Sequence, residues 1–349
     1  MRHTPRPAGA PVGALALLLA ATLALAGCSG DDATTAAPET VETTHADGTV
    51  EEVEVPEVPQ TWPLTGIEVP DNGSADARHP VLVTKMDNTP SSSPQLGLSH
   101  ADLVVEELVE GGITRLAAFY YSDIPGAVGP VRSMRASDIG IVTPIDASIV
   151  TSGAANITLN RIAGADITYY TEGSKGFYRE PSRYAPYNLM ANLHDVASTI
   201  KQKMTRPEDY LPWGSADDLP KGVKATTVNA DFGNHTTSWH FQNGRYVNTN
   251  SYAGPNDQFP TDTVLVLRVQ VGDAGYRDPA GYPVPETKFV GEGAALLFHD
   301  GRLVRGTWSK KDLTSPLTLS TKNGELKVPA GHTWVELVPA VNGDVTFTK

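Results

Sequence analysis

Cysteine is almost missing from this chain: Cys28 is the single cysteine among 349 residues. A lone thiol leaves no partner within the chain, so small scaffolds held together by disulfides are excluded. The protein must therefore be stabilised by burying a hydrophobic core. From Thr61 onward 289 residues remain, enough for two domains of roughly 100–200 residues each.

Long hydrophobic runs are missing as well. The apolar run Gly13–Ala26 has fourteen residues, whereas a membrane-spanning helix needs about 20. Arg2 and Arg6 precede the run and "LAGC" (Leu25–Cys28) follows it, the pattern of a secretory signal peptide that ends in a lipobox. We predict a lipoprotein signal peptide over 1–27 and lipid (palmitate) attachment at Cys28. The lipid would anchor the mature protein in the bilayer, on the extracytoplasmic face of the cell membrane.

Basic residues are missing between Ser29 and Gln60, where nine residues are Asp or Glu and none is Lys or Arg. A Thr-, Ala- and Pro-rich acidic segment cannot bury enough apolar surface to order itself, and its like charges extend it. We predict a disordered acidic stalk over 28–60. The chain as a whole carries a formal net charge of −13, and the absence of a basic face argues against nucleic-acid binding.

The remaining sequence predicts an α+β protein with two domains. Residues 61–208 alternate short apolar runs with helix-like segments, which indicates a mixed α/β domain. Residues 209–222 are dense in Pro, Gly and Asp and predict a linker. Residues 223–349 predict an antiparallel all-β domain, a barrel or a sandwich, because Asn243-Gly244, Asp300-Gly301 and Asn323-Gly324 each favour a type I′ hairpin turn.

Motifs for metals and nucleotides are not found. The histidines show no HxH or HExxH spacing. No P-loop and no Rossmann glycine pattern occurs either. We therefore expect no metal and no cofactor.

Glu106 and Glu110 are the candidate acid–base pair. In a strand their side chains would lie on one face about 13 Å apart, and in a helix about 6 Å apart. Glycosidase-type chemistry needs about 5–9.5 Å between the two carboxyl groups. A strand makes that chemistry unfavourable unless the chain bends at Gly111.

Arg132 and Arg135 surround Ser133, a predicted N-cap of a helix over Met134–Ile141. Positive side chains at a helix N-terminus oppose its dipole, so an anion should compensate them. That anion is either a carboxylate of the protein (Asp138, Glu106 or Glu110) or a ligand carboxylate or phosphate held by bidentate arginines.

A second group of arginines lies in "FYREPSRYAPYN" (Phe177–Asn188), where Arg179 and Arg183 stand among four aromatic residues. Aromatic and arginine side chains on a loop suit stacking against sugars or a partner chain. The alternative is a loop that packs on its own domain.

Five segments match a known pattern in the same order along nearly the whole globular part: "PLTG" (Pro63–Gly66), "MDNTPSSSPQLGLSHADLVVEELVEGGITR" (Met86–Arg115), "GPVRSMR" (Gly129–Arg135), "FYREPSRYAPYN", and "GEGAALLFHDGRLVRGTWSK" (Gly291–Lys310). On these segments the chain resembles the YerB-like lipoproteins, a bacterial family of exported, membrane-anchored proteins. The resemblance implies an N-terminal α+β domain and a C-terminal β domain.

The residue pattern of the family corresponds in this chain to Asn88, Glu106, Glu110, Gly111, Thr114, Arg115, Arg132, Ser133, Arg135, Arg183, Pro186 and Asn188. The chain departs from it at Val105, where Tyr is common, and at "TSG", where a His is common before the glycine.

Together these features predict a non-enzymatic envelope lipoprotein that binds an anionic or glycan ligand or a protein partner. The predicted ligand-binding residues are Asn88, Glu106, Glu110, Arg115, Arg132, Arg135, Arg183 and Asn188. The alternative is an envelope glycan hydrolase or transferase that uses Glu106 or Glu110 as acid or base. A third hypothesis is a scaffold that presents a β edge to a partner, without a small-molecule site.

Overall fold

A computed structural model describes residues 40–44, 50–54, 60–201 and 205–349. The predicted signal peptide and the lipidation residue Cys28 lie outside the described residues. So does most of the predicted stalk. The two described pieces of the stalk segment, β1 and β2, pair as antiparallel strands, and the disorder of the stalk stays a prediction. Among the described residues no helix is both long and apolar enough to cross a membrane.

Strands dominate the described residues. The first eleven are β1 (Thr40–Thr44), β2 (Val50–Glu54), β3 (Leu82–Asn88), β4 (Leu103–Leu108), β5 (Thr114–Tyr120), β6 (Ser148–Val150), β7 (Tyr169–Tyr170), β8 (Phe177–Arg179), β9 (Leu189–Ala191), β10 (Trp213–Gly214) and β11 (Val223–Lys224). They are followed by β12 (Thr227–Asp231), β13 (Thr236–Gln242), β14 (Arg245–Asn248), β15 (Thr263–Arg277), β16 (Pro283–Lys288), β17 (Gly291–His299), β18 (Arg302–Lys310), β19 (Thr318–Thr321), β20 (Gly324–Glu325), β21 (Val328–Pro329), β22 (Thr333–Pro339) and β23 (Asp344–Thr348).

The helices are short. The α-helices are α1 (Asp138–Val142), α2 (Asn156–Gly164) and α3 (Leu193–Ala197). Single 3₁₀ turns span Pro70–Asn72, Pro90–Ser92, Leu98–His100, Glu110–Gly112, Thr143–Ile145 and Ala216–Asp218. The α+β class is therefore only loosely met, because little of the N-terminal part is helical.

Residues 60–349 are built around one mixed sheet of thirteen strands. Its main path runs β20-β19-β18-β17-β15-β22-β4-β5-β3-β6-β7, with β11 beside β18 and β16 beside β15. β22 is parallel to both β15 and β4. Strands of the two predicted domains thus share one sheet, and the predicted antiparallel character of the C-terminal part fails at β22.

Both faces of the central strands are covered. All seven residues of β3 and all seven of β22 are buried, the pattern of a strand with core on either side. One core contains Val83, Val105 and Leu337, and the other contains Leu82, Val104 and Val338 in alternate positions. The second core also includes residues of a four-stranded antiparallel sheet, β14-β13-β12-β23.

Two of the three predicted hairpin turns are confirmed. Asn243-Gly244 and Asp300-Gly301 join consecutive antiparallel strands, and all four residues have positive φ, as type I′ requires. The third prediction is wrong by one residue. Thr321 pairs with Gly324, so the turn consists of Lys322 and Asn323.

The predicted helix over Met134–Ile141 begins later than expected. α1 starts at Asp138, and the Asp138 carboxylate accepts a hydrogen bond from the Arg135 N–H at 2.7 Å. Ser133 is therefore not an N-cap. Arg132 and Arg135 lie in non-helical chain before the helix, so the helix dipole does not explain what compensates their charge.

Candidate anion-binding site

Three neighbouring strands carry the candidate site. β3 and β4 both pair with β5, and Asp87 and Glu107 lie opposite Arg115 on its two sides. Successive side chains of a strand point to opposite faces, so these three residues share one face of the sheet. Asn88 and Glu106, one position away, belong to the other face. The predicted polar residues are therefore divided between two networks.

A buried ionic triad anchors the first face. Lys85 Nζ lies 2.7 Å from Glu107 Oε1 and 2.7 Å from Asp138 Oδ1, and all three side chains are fully buried. Burial, with the Asp138 charge adding to it, raises the pKa of Glu107 despite the Lys85 ammonium. The triad ties β3, β4 and α1 together. Sequence reasoning missed it, although a lysine in the middle of the apolar β3 run was a usable signal.

Arg132 and Arg135 each hold a carboxylate of the protein. Arg132 Nε lies 3.0 Å from Asp87 Oδ2, and Arg135 Nη2 lies 2.7 Å from Glu110 Oε1. Burial opposes ionisation of Glu110, but the hydrogen bond and charge of Arg135 outweigh it and lower the Glu110 pKa. Of the three predicted internal partners, Glu110 is confirmed for Arg135. Asp87 was missed, although it is a carboxylate inside the buried strand β3.

Arg115 is the guanidinium of this cluster that forms no direct ion pair among the described residues, although Glu107 lies opposite it in the strand register. Only 6% of the residue is exposed, and its Nη1 donates to the Ser133 carbonyl at 2.7 Å. Its buried Nε has no hydrogen-bond partner among the described residues. Within that part of the chain, no carboxylate lies within 4.0 Å of its guanidinium. Burial, followed by the charges of Arg135 and Arg132, lowers the pKa of Arg115 to about 10.

Glu106 belongs to the opposite face and is fully buried. Its carboxylate accepts hydrogen bonds from Asn88 Nδ2 at 3.0 Å, from Thr237 Oγ1 at 2.9 Å and from Trp334 Nε1 at 3.1 Å. His235 Nε2 lies 3.3 Å away. Burial opposes ionisation, but the hydrogen bond and charge of His235, with the other donors, lower the Glu106 pKa.

A second carboxyl group stands beside Glu106. Glu336 on β22 occupies the register position opposite Glu106 on β4, and its Oε1 accepts from Trp239 Nε1 at 2.9 Å. Burial, and then the Glu106 charge, raise the pKa of Glu336 well above its ordinary value. Glu336 is thus the protonated member of a buried carboxyl pair. Predicting Glu106 as a neighbour of the arginines was wrong, because it faces this network instead.

Arg183 and Asn188 order a loop rather than join the arginine cluster. Arg183 Nη1 donates to the Ser92 carbonyl at 3.1 Å, and Nη2 donates to the Pro94 carbonyl. Asn188 Oδ1 accepts from Arg179 Nη1 at 2.7 Å. Both predicted ligand-binding side chains therefore already have hydrogen-bond partners within the protein: Arg183 bonds backbone carbonyls, and Asn188 bonds Arg179.

The same loop reaches the cluster through an aromatic ring. The Arg132 guanidinium carbon lies 5.2 Å from the centroid of the Tyr187 ring, within the range of a cation–π contact. Arg132 is the most accessible arginine of the cluster, with 23% of its side chain exposed, against 12% for Arg135. Tyr187 was not singled out as a site residue, although its position in an Arg- and Tyr-rich loop was visible.

The geometry favours ion binding over acid–base catalysis. Glu106 is fully buried and Glu110 is paired with Arg135, and the pKa of each is lowered. A general acid instead needs a raised pKa and access to substrate. Among the described residues no group of His, Cys, Asp and Glu is arranged to hold a metal ion.

Two family models match the chain. Residues 64–206 match the one described as "Protein of unknown function (DUF3048) N-terminal domain", and residues 226–335 match the corresponding C-terminal domain. A protein of Bacillus subtilis (strain 168) with the name "Putative lipoprotein YerB" is 27% identical over 293 residues, which cover 79% of this chain and 86% of that protein. The crystal structure of the YerB protein from Bacillus subtilis matches with a TM-score of 0.68 at 20% identity, covering 82% of this chain and 99% of the other. The chain belongs to the DUF3048 family, and the expected resemblance to YerB is confirmed.

Proposed function

We propose that this protein is a lipid-anchored, extracytoplasmic binding protein for an anionic ligand. The lipobox around Cys28 supports the anchor, and the name of the Bacillus relative supports the same placement. The cluster of Arg115, Arg132 and Arg135 supports the ligand class, because guanidinium groups bind carboxylates and phosphates through two parallel hydrogen bonds.

The observation that carries the proposal is that Arg115, alone among the three guanidiniums, has no direct ion-pair partner among the described residues. Asp87 and Glu110 compensate two of the three guanidiniums, and the third is buried with a neutral carbonyl as its acceptor. A guanidinium stays charged at neutral pH, and burial together with the charges of Arg135 and Arg132 lowers the pKa of Arg115, so keeping this group charged has an energetic cost. A bound anion would offset that cost.

The test compares the full chain in detergent with Arg115→Met. Inorganic phosphate and acetate serve as probes, and thermal unfolding and calorimetry give affinity. We expect both anions to raise the melting temperature of the wild type in proportion to the logarithm of their concentration. Arg115→Met should lose this response while remaining folded, because it removes a buried charge and breaks no direct ion pair.

The matched control is Arg161→Met. Arg161 is paired bidentately with Glu286, at 2.9 Å and 2.6 Å, outside the cluster. This variant should lose stability but keep the wild-type response to phosphate and acetate. An unchanged response in Arg115→Met would show that the anions bind elsewhere and would refute the proposed site.

A further inference from the structure

Tyrosine side chains are exposed on β8 and on the loop between β8 and β9. Tyr184 is 66% exposed and Tyr178 is 39% exposed. Tyrosine combines a large apolar ring with a polar hydroxyl, which makes it common at binding surfaces. Neither the fold nor the anion site requires these rings to lie in solvent.

The loop that carries them is held in place by charged side chains. Arg179 forms a bidentate ion pair with Glu172 and also donates to Asn188. Arg183 bonds the carbonyls of Ser92 and Pro94 in a separate segment. The strands at the base of the loop are paired in antiparallel register. The exposure of Tyr184 is therefore imposed by a restrained loop, and the ring is presented at a small further cost in conformational entropy.

The exposed ring is continuous with the arginine cluster. The centroids of Tyr184 and Tyr187 are 5.6 Å apart, with an interplanar angle of 73°. Tyr187 in turn stacks with Arg132, whose Nε holds Asp87. An aromatic surface thus leads from solvent to Arg132, the most accessible arginine of the cluster.

We propose that the ligand is an acidic glycan, a sugar chain that bears carboxylate or phosphodiester groups. This inference rests on the proposed function, since the arginine cluster would hold the anionic group. The C–H face of an adjoining sugar ring would pack on Tyr184, and its hydroxyl groups would hydrogen-bond at the polar rim. A small free anion would gain nothing from the tyrosines, and a neutral glycan would leave Arg115 without an ion-pair partner.

The test measures binding of four probes to the full chain by calorimetry. Oligogalacturonate supplies carboxylates, a phosphomannan supplies phosphodiesters, dextran is neutral, and inorganic phosphate lacks sugar. We expect at least one charged glycan to bind about tenfold more tightly than phosphate, which corresponds to about 1.4 kcal/mol. Dextran should not bind. Which of the two charged glycans is preferred identifies the anionic group.

Tyr184→Ala should weaken binding of the charged glycan about tenfold, the order expected for loss of one aromatic contact. Its phosphate affinity and melting temperature should stay unchanged, because the ring is exposed. Tyr282→Ala is the matched control, since Tyr282 is 58% exposed and belongs to a different loop. It should bind the charged glycan like the wild type.

The outcomes separate the two proposals. Equal glycan affinity in Tyr184→Ala and the wild type, or phosphate binding as tight as that of both charged glycans, would overturn the glycan inference and leave the anion site intact. Absence of any Arg115-dependent binding of phosphate would overturn the proposed function itself, and the glycan inference with it.

Discussion

Glu106 and Glu336 show how one residue type takes two protonation states at neighbouring positions. They lie opposite each other on β4 and β22, both fully buried. Donors surround Glu106 and lower its pKa, whereas burial and the Glu106 charge raise the pKa of Glu336. Two adjacent carboxylates cannot both ionise at low cost, so the surrounding donors determine which one keeps its proton.

Glu336→Gln should stabilise the protein at neutral pH. Below the ordinary Glu pKa of 4.5, Glu336 is protonated in both folded and unfolded states and contributes no pH dependence. Above pH 4.5 the unfolded state loses the proton and the folded state keeps it. The free energy of unfolding of the wild type therefore falls by about 1.4 kcal/mol per pH unit until the pH reaches the raised pKa of the folded state. Glutamine has no proton to lose. Urea unfolding should show a higher free energy at pH 7 and little change at pH 4.

Glu106→Gln is the matched comparison at the opposing register position. Here a neutral amide replaces an ionised carboxylate that accepts from three donors. The substitution should lower the free energy of unfolding by about 2–3 kcal/mol at pH 7, the magnitude expected when buried hydrogen-bonding partners are left unpaired. The two isosteric substitutions should therefore change stability in opposite directions. Destabilisation by both at pH 7 would show that Glu336 is ionised and would contradict this assignment.

At the level of whole elements, β22 joins the two parts of the chain that lie on either side of the predicted linker. This strand comes from the C-terminal part, yet it is inserted between β15 and β4 in the main sheet. All seven of its residues are buried. Without it, β4 would expose an apolar edge with unpaired backbone groups, which is costly and prone to aggregate.

We therefore expect that neither 28–222 nor 223–349 folds alone. Each fragment should lack a cooperative thermal transition, because the pairing of β22 with β4 is lost in both. Coexpression should restore a soluble complex with a transition like that of the full chain. A cooperative transition in the isolated 28–222 fragment would instead support two independent domains, as the composition of the linker predicts.

On the scale of the whole molecule, the sequence carries an anchor motif near its N-terminus and the globular part carries the candidate site. Cys28 is the sole thiol, so labelling at this residue can be followed without interference. In a bacterial host, the full chain should incorporate an alkyne-bearing palmitate and sediment with membranes. Cys28→Ser should lose the label and leave the membrane fraction.

Ser29→Ala is the control, because it changes the neighbouring residue and retains the thiol. It should be labelled like the wild type. Equal labelling of Cys28→Ser and the wild type would contradict lipidation at this residue, whatever the distribution of the protein between fractions.

Local sequence determined several features of this protein. The lipobox, the buried β-type runs and the Asn243-Gly244 and Asp300-Gly301 turns are encoded by contiguous residues, since targeting motifs, strand propensity and turn type depend on neighbours along the chain. The ordered set of motifs also sufficed to identify the family. The pairing of Arg135 with Glu110 was among the predicted alternatives, but sequence could not select it.

The division of the site depended on tertiary contacts. Glu106 accepts a hydrogen bond from Trp334, 228 residues away in the chain, and Arg115 meets Asp87 and Glu107 only through the register of three strands. A shift of one residue moves every side chain of a strand to the other face. No local pattern specifies that register. Only the folded sheet therefore assigns the neighbouring Glu106 and Glu107 to separate networks and shows that Arg115 lacks a direct ion pair.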